Sequence, residues 1–171
     1  VVGLIVNPVA GMGGSVGLKG TDGEMYERAL ELGAEPVTPV RTMDILKHLE
    51  WRDGLVFLTA PGRMGEDYLR ELDTDPVVVG SIGASTSAAD TKRIARQMVK
   101  GSSPDVPAAD LLVFVGGDGT ARDICDAVNA TIPAVGVPSG VKVFSSAFAP
   151  PSTAMVTCRP SSARHLRLRG T

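Results

Sequence analysis

Aromatic side chains are scarce here: one Trp, two Tyr and four Phe in 171 residues. The core must therefore be built from Val, Leu, Ile and Ala. Cysteine is nearly absent. Cys125 and Cys158 make no metal-type spacing. Cys125 falls on the apolar side of an expected helix and reads as a buried free thiol. Histidine is limited to His48, on an expected helix, and His165, near the end. Neither has a Ser or Cys partner at a nucleophile-type position, which argues against triad hydrolysis. No apolar run approaches the ~20 residues needed to span a bilayer, so no membrane partner is expected. The apolar start, Val1-Val2-Gly3-Leu4-Ile5-Val6, lacks the basic region of a signal peptide, and a cytoplasmic location is the default expectation. An excess of one charge is missing too: 17 basic and 19 acidic residues give a net charge of −2. No basic stripe marks nucleic acid as a partner.

Glycine and proline are plentiful, at 20 and 12 residues, which implies many tight turns between short elements. Val-rich runs alternate with amphipathic segments, the pattern of βαβ units around a buried parallel sheet. Strands are expected at Val1–Val6, Glu35–Val40 (weak, interrupted by Pro36 and Pro39), Leu55–Thr59, Val77–Gly80, Leu111–Val115 and Pro133–Val137. A glycine-rich loop is expected from Asn7 to Gly20. Helices are expected at Asp22–Leu32, Met43–Trp51 with Thr42 as its cap, Met64–Leu72, Ser87–Lys100, Thr120–Asn129 and Val141–Phe148. In the first of these, Met25, Ala29 and Leu32 share a face. In Ser87–Lys100 the shared face is Thr91, Ile94, Ala95 and Met98. In Thr120–Asn129 it is Ala121, Ile124, Cys125 and Val128. The expected fold is α/β: a three-layer, open, mostly parallel sheet with helices on both faces. Residues 1–149 form that domain. Residues 150–171, with four Arg and no acidic residue, read as an irregular tail, the truncated start of a missing second domain.

Ligands of such sheets bind beyond the C-terminal ends of the strands. Three stretches fall there. Gly116-Gly117-Asp118-Gly119-Thr120 lies between an apolar strand and an amphipathic helix, so it is a strand-to-helix corner rather than a hairpin turn. Its glycines allow positive φ and close approach of a phosphate to bare N–H groups, and the following helix adds partial positive charge. Asp118 beside phosphates would repel them unless Mg²⁺ bridges or it takes a proton from an attacking hydroxyl. Asn7-Pro8-Val9-Ala10-Gly11-Met12-Gly13-Gly14 is neither a Rossmann fingerprint nor a P-loop. If its strand is central, Asn7 reaches the same edge, to bond a phosphate or steer Asp118. Gly136-Val137-Pro138-Ser139-Gly140-Val141-Lys142 also opens a helix. There Ser139 can contact ligand oxygens and Lys142 can neutralise phosphate charge, or the stretch is only a capped helix start. Ser81–Ser87 reads as a loop of helix-capping hydroxyls that could also touch nucleotide, and Gly62-Arg63-Met64-Gly65-Glu66 as a solvated turn, with Arg63 or Glu66 near the cleft as the alternative.

Together the Asn-Pro loop, the Gly-Gly-Asp-Gly-Thr-Ala-Arg-Asp-Ile stretch from Gly116 to Ile124, and the Gly136–Lys142 stretch resemble the NAD kinase / diacylglycerol kinase superfamily. The similarity runs from about Val1 to Phe148 and is greatest to polyphosphate/ATP-dependent NAD kinase-like proteins. The resemblance implies phosphoryl transfer from ATP or polyphosphate to the 2′-hydroxyl of NAD, aided by Mg²⁺. Asp118 corresponds to the catalytic aspartate, either as base for that hydroxyl or as a metal-linked acid. Gly116, Gly117, Gly119 and Thr120 correspond to the phosphate-contacting turn, with Asn7 as its neighbour. The implied partners are NAD and a nucleotide phosphate donor; self-association stays open. Members of the superfamily continue into a β-rich domain that supplies much of the NAD site, so little or no turnover is expected of this chain alone. Two alternatives stand beside this reading: a related kinase of a lipid or small-metabolite hydroxyl, and a non-catalytic nucleotide-binding module.

Overall fold

The computed structural model describes residues 1–18, 24–48, 54–83 and 85–139. The strands are β1 (Val2–Val6), β2 (Phe57–Thr59), β3 (Val77–Val78), β4 (Leu111–Gly116) and β5 (Ala134–Pro138). The helices are α1 (Met12–Ser15), α2 (Glu24–Glu31), α3 (Thr38–Lys47), α4 (Glu66–Arg70), α5 (Ala88–Lys100) and α6 (Asp118–Val128), with a 3₁₀ turn at Gly62–Met64. The sheet is open, in the order β3-β2-β1-β4-β5, and all four pairings are parallel. The expected α/β class is therefore the one observed.

Both faces of the sheet are covered, as its unbroken apolar strands require. Successive residues of a strand point to opposite faces, and β1 and β4 feed two cores in that way. Ile5, Leu112 and Phe114 pack with Ile94, Ala95 and Met98 of α5 and Ala121, Ile124 and Val128 of α6. Leu4, Val6 and Val115 pack with Leu46 of α3 and with Tyr68 and Leu69 of α4. The faces expected on α5 and on most of α6 are thus the buried ones. On α2 only Ala29 is buried; Met25 and Leu32 stay exposed.

Several expectations are corrected. Glu35–Val40 is not a strand. The chain enters α3 at Thr38, with Pro39 in the first turn, where a missing N–H costs no helical hydrogen bond. Thr42 does not cap that helix: it lies inside it, buried, and donates its hydroxyl to the Thr38 carbonyl at 2.7 Å. The expected Asn7–Gly20 loop contains α1, whose Met12 packs on Ala29 and Ala34. β3 keeps only two ladder residues, a short edge strand, and Gly80 turns away at φ 78°. α6 starts at Asp118, two residues before the expected Thr120. Cys125 is half-buried and disulfide-bonded, not a buried free thiol. The expected helix Val141–Phe148, the 150–171 tail and the end of the Met43–Trp51 helix lie outside the described residues.

The start of α5 carries the strongest local signal. Ser87 Oγ accepts from the Asp90 N–H, and the Asp90 carboxylate accepts from the Ser87 N–H at 3.1 Å, closing a capping box. The Ser87 hydroxyl bond and then Arg93, 2.7 Å away, hold the Asp90 carboxyl below its usual range. A depressed folded-state value adds stability above the ordinary carboxylate range and loses it as pH falls through the folded value. Asp90→Asn is expected to cost about 1 kcal/mol at neutral pH. In urea titrations at several pH values, the gap to wild type should close below about pH 4. A gap independent of pH would contradict this account.

Candidate functional site

The sheet registers decide which loops meet. Val6 pairs with Val115, and Gly116 pairs with Pro138. The ladder runs one step further on each side: Asn7 N–H donates to the Val115 carbonyl, and Ser139 N–H to the Gly116 carbonyl, both at 2.9 Å. Asn7, Gly117-Asp118 and Ser139 therefore leave the sheet side by side at its C-terminal edge. β1 and β4 are adjacent, yet the chain runs from β1 toward β2 and from β4 toward β5. That divergence opens a crevice between their loops, the usual ligand position in open α/β sheets.

Asn7 ties the crevice together. Its Oδ1 accepts from Val9 N–H at 3.2 Å, and its carbonyl accepts from Ala10 N–H at 3.2 Å. Its Nδ2 donates to Thr120 Oγ1 at 3.0 Å. The loop is also held from below. The buried Thr38 hydroxyl lies 3.1 Å from the Ala10 carbonyl and 3.4 Å from that of Pro8. Nothing in the expected strand at Glu35–Val40 pointed to Thr38; the Thr-Pro pair, a helix-start signal, could have. Gly11 lies against β5. It has φ 85°, and a Cβ there would stand 2.3 Å from the Ser139 carbonyl oxygen. The Asn7, Gly116 and Ser139 stretches are thus one packed unit.

The three glycines around Asp118 differ in what requires them. A Cβ on Gly116 would stand 2.5 Å from Thr120 Cβ and Oγ1, so this glycine lets Thr120 fold back over the strand end. Gly117 and Gly119 would meet nothing within 4 Å. None of the three has a positive φ, so the expected left-handed turn is absent. Gly117 is extended, at φ −101° and ψ −170°, and serves as the N-cap of α6 without a side chain. A side chain at Gly117 or Gly119 would therefore meet none of the described residues within 4 Å. Asp118 itself is half-exposed and occupies the first turn of α6, where the helix dipole favours a negative charge. Thr120 is buried beneath it, at 5% exposure.

Ser139 is buried, and its Oγ has no hydrogen-bond partner among the described residues. An unsatisfied buried hydroxyl is costly, which fits a group that bonds a ligand oxygen. Lys142 lies outside the described residues. Glu66 is occupied elsewhere: it accepts from Gly62 N–H at 2.9 Å and pairs with Arg70 at 3.0 Å. The Gly62 bond lowers its carboxyl below the usual range. Arg63 is exposed, and Ser87 caps α5 as expected. Among the described residues no three His, Cys, Asp or Glu side chains cluster to hold a metal, and no helix is long and apolar enough to cross a membrane.

An all-parallel open sheet with a strand-to-helix corner at its diverging strands defines a class of α/β domain that binds ligands at that edge, without naming the ligand. Within that class the assignment is specific. Residues 2–159 match the ATP-NAD kinase N-terminal domain family, and the chain belongs to it. It is thereby a member of a kinase-type phosphotransferase family. Comparison with curated proteins and with solved structures returned no match.

The contact between Gly11 and Ser139 makes a direct prediction. Gly11→Ala forces a side chain into a left-handed conformation and against a carbonyl, and should cost at least 1–2 kcal/mol, roughly the left-handed penalty alone. Gly14→Ala, in α1 with nothing within 4 Å, should be neutral or slightly stabilising. Thermal melts of the two variants compare these directly, and equal melting temperatures would refute the packing argument.

Proposed function

We propose that this domain handles the phosphates in transfer of a phosphoryl group from ATP or polyphosphate to the 2′-hydroxyl of NAD, forming NADP. Family membership supports the reaction class. The single observation that carries the site is Asp118 in the first turn of α6, flanked by bare glycine backbone at the diverging strand ends. In that reading the amides around Gly117 and Gly119 approach phosphate oxygens. Asp118 either takes the proton of the attacking hydroxyl as that hydroxyl's oxygen bonds to the terminal phosphorus and the donor's P–O bond breaks, releasing ADP or the shortened polyphosphate, or would hold Mg²⁺ that arrives with the phosphates. A lone carboxylate suits a substrate-borne ion, because Mg²⁺ commonly uses one or two carboxylates, water and phosphate oxygens. Ser139 and Thr120 contribute hydroxyls to the same phosphates, and Asn7 secures the loop beside them. Most of the catalysis in phosphoryl transfer is positioning and charge stabilisation, and the packed union of the three loops suits that demand.

The test is calorimetric titration of the chain with ATP, tripolyphosphate and NAD, with and without Mg²⁺, beside an assay of NADP formation. Binding of a phosphate donor and of NAD is expected. Little or no turnover is expected of this chain alone; any NADP formation it does show should fall by about 10²–10⁴-fold in Asp118→Asn, the usual contribution of a positioned proton acceptor, while Mg²⁺-free ATP still binds. Loss of the Mg²⁺ enhancement of ATP affinity in Asp118→Asn would assign the carboxylate to the metal rather than to the proton. Binding of ATP without NAD would favour a kinase of another hydroxyl. No binding of any of the three would end the proposal.

A further inference from the structure

We propose that Asn7 is a positioning residue that orients the hydroxyl of Thr120 as a donor to a ligand phosphate. This rests on the phosphate-handling reading of the crevice and assigns two of its residues distinct roles. A backbone N–H can only donate, so the end of the Asn7 amide facing Val9 N–H is its oxygen. The end facing Thr120 is then the NH₂ group, which can only donate. Thr120 Oγ1 must therefore accept from Asn7 across their 3.0 Å contact. A threonine hydroxyl has one proton, and that proton is now excluded from the Asn7 side.

No acceptor for it exists among the described residues: Thr120 Oγ1 has Asn7 as its hydrogen-bond partner. In a helix, a threonine hydroxyl commonly bonds the carbonyl four residues back. Thr42 and Thr91 do so here, onto Thr38 and Ser87. Thr120 makes no such bond onto Gly116. Its side chain instead lies over the Gly116 Cα, in the space a Cβ would have taken. The hydroxyl thus lies beside Asn7 in the first turn of α6, with its proton uncommitted among the described residues. A phosphate oxygen in the crevice is the acceptor this arrangement lacks.

The experiment is a double-mutant cycle on the full chain, with Mg-ATP and tripolyphosphate as titrants. Thr120→Val removes the hydroxyl at nearly constant volume, and about a tenfold loss of affinity is expected, the lower range for a hydrogen bond to a charged group. Asn7→Ala should weaken binding several-fold in the wild-type background and not at all in the Thr120→Val background. Thr120→Ser keeps the hydroxyl and should keep both the affinity and its dependence on Asn7. Melting temperatures of the ligand-free variants run alongside. A merely structural role for Asn7 lowers stability equally in both backgrounds and leaves the binding losses additive. Where Asn7→Ala fails to fold, Asn7→Ser replaces it. Additive losses, or wild-type affinity in Thr120→Val, would overturn the inference while leaving the phosphate site standing. Failure of the wild-type chain to bind either titrant would remove both.

Discussion

Backbone pairing of β1 with β4, in register from Val2 opposite Leu111 to Val6 opposite Val115, is the constraint on which the crevice depends. It joins segments more than a hundred residues apart and makes β1 central. One residue of slip would exchange the two faces of each strand. Ile5 and Leu112 would leave the α5–α6 core, and Leu4 and Val115 the α3–α4 core. The two hydrophobic layers therefore hold the register, and the register sets the edge at which Asn7, Asp118 and Ser139 emerge.

Above that edge the loops are joined by small contacts rather than by mass. The Asn7 amide bridges to Thr120, Thr38 holds the loop carbonyls, and Gly11 lets the loop lie against the Ser139 backbone. Each contact uses the smallest group that can make it. The glycines divide accordingly. Gly11 and Gly116 are required by their protein neighbours. At Gly117 and Gly119 an added Cβ would meet none of the described residues within 4 Å. Rigidity on one side and open backbone on the other is the combination that phosphoryl transfer needs, because its catalysis is mostly placement.

The sheet, its parallel sense and its two best helices were legible because they rest on local periodicity. Val-rich runs and the 3.6-residue spacing of Thr91, Ile94, Ala95 and Met98 need no distant partner to be read. The strand-to-helix corner at Gly116 was legible for a similar reason: an apolar strand there runs directly into an amphipathic helix. The failures share a cause. Glu35–Val40 has the composition of a poor strand, but Thr38 finds acceptors on the Asn7 loop and the chain coils instead. Thr42 has the chemistry of a cap, yet burial inside α3 turns its hydroxyl to the preceding turn. Asn7–Gly20 reads as loop throughout, but α1 forms within it because Met12 packs against Ala29 of α2.

What the residue order determined by itself is the class of fold, the strand-to-helix corner at Gly116 and the identity of Asp118 as the chemically distinctive group there. These follow from propensity and from the chemistry of adjacent residues, which act within a few positions along the chain. What only the tertiary structure decided is the strand order, the union of three loops at one edge and the direction of the Asn7–Thr120 hydrogen bond. Those depend on residues far apart in sequence, brought together only when both faces of the sheet are buried at once.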